Sequence, residues 1–201
     1  APKIDALISF LNTYINEFDL LEDLPSWVFI EWSKANECTS GVNFPSNMLY
    51  SKCLEQAGNV FENDNWKTKA KKMKQSILKY SWNGVFFADQ SLRENDKLVQ
   101  QPLCSETCQY HAFYFEIARI DEYKELWQTL LKNWGPLRGM QLKFSQESKQ
   151  YEFIYKNGIT PKEDDGLLIP AALLYGLMLR LEILLDMGLK DQLLKEIKSI
   201  F

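Results

Sequence analysis

The sequence reads LPSWVFIEWS at residues 24–33, which is its densest aromatic segment. The apolar residues of this segment follow a helical pattern. Two tryptophans, Trp27 and Trp32, flank a single carboxylate, Glu31. An aromatic face covers the apolar C–H face of a pyranose, and a carboxylate accepts hydrogen bonds from hydroxyls. The segment therefore fits the wall of a sugar-binding cleft, although the same residues could equally be hydrophobic core.

Apolar residues recur at helical spacing along most of the remaining chain, which predicts an all-α fold of about seven helices. One small β-hairpin is expected, formed by residues 85–88 and 97–99, whose apolar runs flank a polar turn. A long irregular loop is expected from Gly135 to about residue 168, and loops of that length are usually functional or mobile. The predicted helices cover residues 4–19, 45–61, 65–80, 103–118, 121–132, 169–186 and 189–200.

The character of these helices alternates along the chain. The helices at 45–61, 103–118 and 169–186 are apolar or small on nearly all sides, which indicates burial on more than one face. The intervening helices are amphipathic and consecutive helices are joined by short connections, as in antiparallel hairpins. This alternation predicts a partial (α/α)6 toroid, with the chain as a single domain cut from a larger one. An open toroid leaves apolar helix sides uncovered, so self-association through 45–61 and 169–186 is expected.

Composition excludes several classes of partner. The chain of 201 residues carries a net charge of −4, and its only dense basic cluster, 69–74, lies on a predicted helix. Nucleic-acid binding is therefore not expected, because a broad basic surface is missing. Nor is a membrane span, because no apolar run is long enough to cross a bilayer. The first residues, Ala1-Pro2-Lys3, resemble neither an initiator methionine nor a signal peptide, and we expect either the cut edge of a longer chain or a remnant of cloning.

Four cysteines and one histidine are the candidates for metal or nucleophilic chemistry. Cys104, Cys108 and His111 are spaced to share one face of a helix and could contribute to a zinc site. The sequence offers no second cluster to complete such a site, and cysteine is also a common core residue. We therefore expect free thiols, no metal and no cofactor. A cysteine nucleophile would need His111 as its base, but the histidine sits on the same helix as Cys108.

Carboxylates are the remaining source of chemistry, at Glu31, Asp89 and Glu106. Each lies near a predicted helix or hairpin end. Glu106 opens a buried helix, where the helix dipole alone favours a carboxylate. Capping and structural hydrogen bonding therefore explain each of them better than catalysis does.

Four segments resemble the catalytic domain of bacterial α-L-rhamnosidases, in order and spacing over nearly the whole chain. LPSWVFIEWSKAN at residues 24–36 looks like the entry to an inner helix of that six-hairpin domain. NFPSNMLY at 43–50 resembles the start of the following helix. The later matches are SETCQY at 105–110 with AFYF at 112–115, and LRLE at 179–182 with residues 193–201.

The resemblance implies a glycoside hydrolase with an (α/α)6 barrel that removes terminal α-L-rhamnose with inversion of configuration. Inversion uses one carboxylic acid and one carboxylate base, roughly 6.5–9.5 Å apart, with a water between them. The substrate would be a rhamnose-containing glycoside, and the remainder of the parent chain would be a partner. Carried over to this sequence, the resemblance implies sugar contacts at Trp27, Glu31, Trp32, Asn47, Trp82 and Glu106.

The sequence departs from the family pattern at the catalytic carboxylates. In the family the general acid lies upstream of the matched region, and the general base follows the hairpin with which this chain ends at Phe201. We therefore expect a partial catalytic domain that is inactive alone. Residues 143–166 are also longer and more polar than the family pattern. Two alternatives remain: a non-catalytic helical module that binds carbohydrate or protein, and a six-hairpin glycosidase with another sugar specificity.

Overall fold

The computed structural model describes residues 2–25, 28–136, 140–144, 151–155, 168–171 and 175–200. For residues 140–144 and 151–155 it describes the backbone alone. Within these ranges the protein is mostly helical. The α-helices are α1 Pro2–Asn12, α2 Phe44–Val60, α3 Asp64–Ser81, α4 Glu106–Tyr114, α5 Lys124–Asn133, α6 Tyr175–Asp186 and α7 Lys190–Ile200. The strands are β1 Val42–Asn43, β2 Gln90–Glu94, β3 Lys97–Gln100, β4 Met140–Phe144 and β5 Tyr151–Tyr155. None of the helices in this described part is long and apolar enough to cross a membrane.

Side-chain caps fix where the central helices begin. Asn43 precedes α2 and accepts a hydrogen bond from the backbone N–H of Ser46 at 2.9 Å. Asn63 caps α3 in the same way. The Oγ of Ser105 accepts from the N–H of Cys108 at 3.0 Å and starts α4. Each cap satisfies an N–H that the first helical turn leaves without a partner.

The helices pack as a row with a second layer beside it. α2 packs against α3 and α4, α4 packs against α6, and α6 packs against α7. Every residue of α4 from Glu106 to Phe113 is buried, including its polar side chains. α5 and α7 are instead strongly amphipathic, with few buried residues. The predicted contrast therefore agrees for α4 against α5 and α7, whereas α2 and α6 keep exposed residues such as Leu49 and Met178.

The small sheet differs from the predicted hairpin. Its strands run in the order β1-β2-β3, all antiparallel, and Ser91 pairs with both Val42 and Gln100. The predicted strand at 85–88 is wrong. Asn83 accepts hydrogen bonds from the N–H groups of residues 85 and 86 and forms a turn, and Phe87 and Ala88 then enter the core. Their apolar character reflects burial rather than a β-ladder.

The aromatic segment at 24–33 is not helical where the structure describes it, which corrects the sequence prediction. Residues 28–31 form neither a helix nor a strand. The Oδ1 of Asn36 accepts a hydrogen bond from the N–H of Ile30 at 2.9 Å, and Ser33 caps a short 3-10 turn, Lys34–Glu37. These side-chain acceptors hold the backbone out of a helix. Ser26 and Trp27 lie outside the described residues.

The region predicted as one long loop contains the β4–β5 hairpin, in which Leu142 pairs with Phe153. Residues 168–171 are not helical, although the helix predicted at 169–186 would begin there. The N–H of Ile169 donates to the carbonyl of Cys104 and its carbonyl accepts from the N–H of Glu106, both at 2.8 Å. This parallel bridge attaches the segment before α6 to the start of α4.

Candidate functional site

A pocket of about 250 Å3 opens where the aromatic segment meets the row of central helices. We call it the aromatic pocket. This volume is smaller than the roughly 300–1,000 Å3 of typical small-molecule sites, which leaves room for one small ring. The pocket is lined by Phe29, Ile30, Trp32, Pro45, Ser46, Leu49, His111 and Tyr175.

Three separate elements place the aromatic rings around this pocket. Trp32 is 67% exposed at its rim and stands edge-on to Phe29, with ring centroids 4.7 Å apart. His111 comes from α4, and Tyr175 from the first turn of α6. The His111 and Tyr175 rings lie 5.5 Å apart, again edge to face. The result is an apolar pocket with an accessible indole beside it.

His111 supplies a polar atom to this apolar pocket. Its side chain is 3% exposed, and Nδ1 lies 2.8 Å from the carbonyl oxygen of Thr107 on the same helix. A carbonyl only accepts, so Nδ1 carries the proton in the neutral ring and Nε2 is an acceptor. Burial lowers the pKa of His111 to about 4, so the ring is neutral at pH 7. Nε2 has no hydrogen-bond partner among the described residues.

Glu31 lies behind the pocket and is fully buried. Its Oε1 accepts a hydrogen bond from the Oγ of Ser33 at 2.7 Å. A Cβ at Gly176 would lie 2.9 Å from its Oε2 and would also collide with the Oγ1 of Thr107. Glycine at position 176 therefore allows α6 to approach both α4 and the Glu31 carboxylate. The Thr107 Oγ1 is buried and makes no hydrogen bond within the described ranges.

Asp89 holds the start of α4. Its carboxylate accepts hydrogen bonds from the backbone N–H and the Oγ of Ser105, the latter at 2.6 Å. Burial raises the pKa of Asp89 to about 7, against the lowering effect of the two Ser105 hydrogen bonds, and the charge of Glu31 raises it further. The side chain therefore bridges the segment after α3 to the N-terminus of α4.

Glu106 holds three segments together. One carboxylate oxygen accepts from the N–H of Gly135 at 2.7 Å and from the hydroxyl of Tyr110, and the other accepts from the N–H of Ala171 at 2.9 Å. Arg180 in turn donates to the Tyr110 hydroxyl at 2.9 Å. The carboxylate is fully buried in this network. Its contacts are those of an internal structural clamp.

Two other predicted sugar contacts lie apart from the aromatic pocket. Asn47 is buried and exchanges hydrogen bonds with the backbone of Leu21, with its Oδ1 2.7 Å from the Leu21 nitrogen. Trp82 packs on Phe87 and Tyr123, with centroids 4.9 Å away in each case. Of the predicted residues that the structure describes, Trp32 lines the pocket, and Glu31 is buried beside it without lining it. Trp27 falls outside the described residues, and a sugar contact stays a prediction for all six.

The cysteine and histidine cluster considered for a metal makes other contacts. In the described part of the chain no three His, Cys, Asp or Glu side chains converge as a metal site. Burial raises the pKa of the Cys104 thiol to about 12 and holds that of Cys108 well above its usual value. Such thiols stay protonated and are poor nucleophiles. All four cysteines are free.

A second, larger cavity of about 890 Å3 runs between α1, the segment at 21–29 and α2. We call it the apolar groove. Most of its surface is aliphatic or aromatic, and no Asp, Glu, Lys or Arg is among its described lining residues. Several large side chains stay exposed along it: Leu7, Phe10, Leu49, Val60 and Phe61. It has the character of a packing surface rather than of a site that recognises hydroxyls.

Comparison with known proteins shows a likeness of the fold. No protein-family model matches the sequence, and no curated protein matches it. The fold is similar to that of a solved GH78 family rhamnosidase of Bacillus sp. GL1, with a TM-score of 0.69 and 14% sequence identity. The likeness covers 98% of this chain and 18% of that one. This chain therefore has the fold of a part of that enzyme and spans less than a fifth of its length.

Proposed function

We propose that this chain is part of the catalytic domain of an α-L-rhamnosidase-like glycoside hydrolase, with a partial (α/α)6 toroid as its architecture. The observation that carries the proposal is the structural likeness to the Bacillus rhamnosidase over 98% of the chain. The four sequence segments that resemble the family support it independently. So does the aromatic pocket, because rings around a small apolar space suit the C–H face of a sugar.

The proposed reaction is inverting hydrolysis of terminal α-L-rhamnosides, with the acid and base carboxylates supplied by other parts of the full-length protein. The surroundings of the buried carboxylates support this division. Asp89 and Glu106 accept two or more internal hydrogen bonds each, and Glu31 accepts one from Ser33. None of these oxygens is placed to exchange a proton with solvent. Within this chain the side chains would bind and orient the sugar.

The test is hydrolysis of an aryl α-L-rhamnoside by the full-length protein that contains this chain. Proton NMR of the first product identifies the anomer, and β-L-rhamnose is expected from inversion. The 201-residue chain assayed alone is the control, and no turnover is expected from it. If the full-length protein hydrolyses a different aryl glycoside faster than the rhamnoside, the sugar of that glycoside would replace rhamnose as the proposed substrate. Turnover by the isolated chain would refute the placement of the acid and base elsewhere.

The apolar groove favours a second candidate, a non-catalytic helical module that binds another protein. A groove of about 890 Å3 without charged side chains among its described lining residues is suited to an apolar helix. The two candidates are separated by the full-length protein itself. If the full-length protein hydrolyses none of a panel of aryl glycosides, the result favours the non-catalytic module over the glycoside hydrolase.

A further inference from the structure

The aromatic pocket has a lining that selects for one class of ligand. Its described lining residues include no Lys or Arg to pair with an anion and no Asp or Glu to pair with a cation. A charged ligand would lose its hydration there without compensation. A neutral ligand with one apolar face and at least one hydroxyl would not pay this cost, because its apolar face can pack on the rings and its hydroxyl can form a hydrogen bond. Pyranose sugars have that chemistry.

We propose that the aromatic pocket binds a single pyranose ring and that His111 accepts a hydrogen bond from one of its hydroxyls through Nε2. The indole of Trp32 and the ring of Phe29 would cover the apolar face of the sugar. The inference rests on the proposed function for its ligand class, and it adds a recognition residue that the sequence comparison does not assign.

The orientation of His111 is the first support. The bond from Nδ1 to the Thr107 carbonyl turns one nitrogen back to its own helix, so the other nitrogen lies on the far edge of the ring. The ring is wedged between Phe115 and Tyr175, with centroid distances of 5.3 and 5.5 Å. Nε2 is not one of the fully buried unpaired atoms of the described residues, so it keeps some accessible surface, and His111 lines the pocket. A ligand hydroxyl in the pocket can therefore reach this acceptor.

The neutrality of the ring is the second support. Burial keeps the His111 ring uncharged at neutral pH, so Nε2 offers a lone pair rather than a proton. An acceptor of this kind distinguishes a hydroxyl-bearing ring from an apolar one. Since a hydrogen-bonding site left unpaired costs binding energy, ligands lacking that hydroxyl are rejected.

Two substitutions separate the two nitrogens of His111 in the full-length protein. His111→Asn places an amide near Nδ1 and keeps a donor for the Thr107 carbonyl, but has no atom near Nε2. His111→Gln places an amide oxygen within reach of the Nε2 position. Binding of L-rhamnose, L-fucose, D-mannose and D-glucose is measured by calorimetry, with thermal melting as a check on folding. For the bound sugar we expect His111→Asn to weaken affinity about five- to tenfold and His111→Gln less than about threefold.

A spectroscopic readout tests the contact directly. His111 is the only histidine of this chain, and its ¹⁵N signals can be assigned by their loss in His111→Gln. Sugar binding should shift the Nε2 signal and leave the Nδ1 signal nearly unchanged. If His111→Asn binds sugar as tightly as wild type, or if no sugar shifts Nε2, the inference is overturned even when rhamnosides are hydrolysed. If a sugar shifts Nε2 but no rhamnoside is hydrolysed, the proposed rhamnosidase function fails and the pocket assignment stands.

Discussion

Arg180 and Glu196 form a fully buried, two-pronged ion pair between α6 and α7. The Nε and Nη2 of Arg180 each lie 2.7 Å from a carboxylate oxygen of Glu196, and both side chains are excluded from solvent. The remaining nitrogen of the guanidinium donates to the Leu130 carbonyl at 2.8 Å and to the Tyr110 hydroxyl. The arginine thereby links α7 to α4 and α5 through the network that also contains Glu106. The burial of an arginine in α6 is explained by this set of partners.

Removing one member of this pair should destabilise the fold strongly. We expect Glu196→Leu to lower the free energy of unfolding by about 3–5 kcal/mol, because it leaves the Arg180 charge buried without a counter-ion. Urea unfolding followed by tryptophan fluorescence measures the loss. The double variant Arg180→Met/Glu196→Leu is the matched control and should lose less than Glu196→Leu alone. If the stability loss of the double variant equals the sum of the losses from the two single substitutions, the two charges do not interact.

Glu106 was predicted as a sugar contact, and its geometry allows a decisive comparison. Glu106→Gln replaces one acceptor oxygen by an amide that faces a donor, so we expect a loss of about 1–3 kcal/mol in stability. Any loss of activity in the full-length protein should then follow the loss of folded protein. Thermal melting and initial rates on an aryl rhamnoside are measured on the same samples. Unchanged melting with a large rise in KM would instead restore Glu106 as a direct sugar contact.

The two predicted tryptophans that the structure describes should behave differently. Trp32 is largely exposed at the rim of the aromatic pocket, so Trp32→Ala should change stability by less than about 0.5 kcal/mol while weakening sugar affinity. Trp82 packs against two aromatic rings, and Trp82→Ala should cost about 3 kcal/mol of stability. Calorimetric binding and urea unfolding on both variants separate the effects. A stability loss in Trp32→Ala would place its indole in the core instead.

Some helices were more predictable from the sequence than the site, although the helix predicted at 4–19 ends at Asn12. α2 and α3 begin and end within one residue of the prediction, because a cap residue and a helical apolar repeat mark them locally. The strand predicted at residues 85–88 failed because Phe87 and Ala88 are apolar for tertiary reasons. A short apolar run does not distinguish a strand from a buried turn.

The pocket could be predicted only in part. The composition of residues 24–33 singled out Glu31 and Trp32, and the structure places both at or behind the aromatic pocket. His111 was considered only for metal or nucleophilic chemistry, because its spacing from Cys108 is a local signal. Its meeting with Tyr175 depends on the close approach of α6 at Gly176, which is 65 residues away in sequence. Neither a cap nor a periodic pattern encodes that approach.

The buried imidazole should make stability depend on pH on the acid side. The pKa of His111 is about 4 in the folded protein and 6.5 in an ordinary peptide, with burial as the main cause. Between these values the unfolded chain binds more protons, so stability falls as pH is lowered from about 6.5 to about 4. Urea unfolding at several pH values should show this slope, and His111→Gln should flatten it. An equal slope in the variant would assign the effect to other groups.

Ionisation of Asp89 should change the pH dependence of stability in the opposite direction to His111, over an overlapping range of pH. Its pKa is about 7 in the folded protein against 3.8 ordinarily, mainly through burial. Between these values the folded protein binds more protons, so this group lowers stability as pH rises from about 4 to about 7. In the His111→Gln background the decline should become visible, and Asp89→Asn should remove it. A pH-independent profile in His111→Gln alone would contradict the raised pKa of Asp89.

The exposed apolar groove should make the isolated 201-residue chain self-associate. Leu7 and Val60 stand more than half exposed on two sides of it, and contiguous apolar surface of this kind is rarely left uncovered. Sedimentation velocity at rising concentration should show dimers or larger species. Val60→Lys places a charge in the groove and should shift the chain toward monomer. The matched control is Val85→Lys, because Val85 is also exposed but lies outside the groove, so it should not alter association. If the unmodified chain stays monomeric at high concentration, the groove is not an association surface.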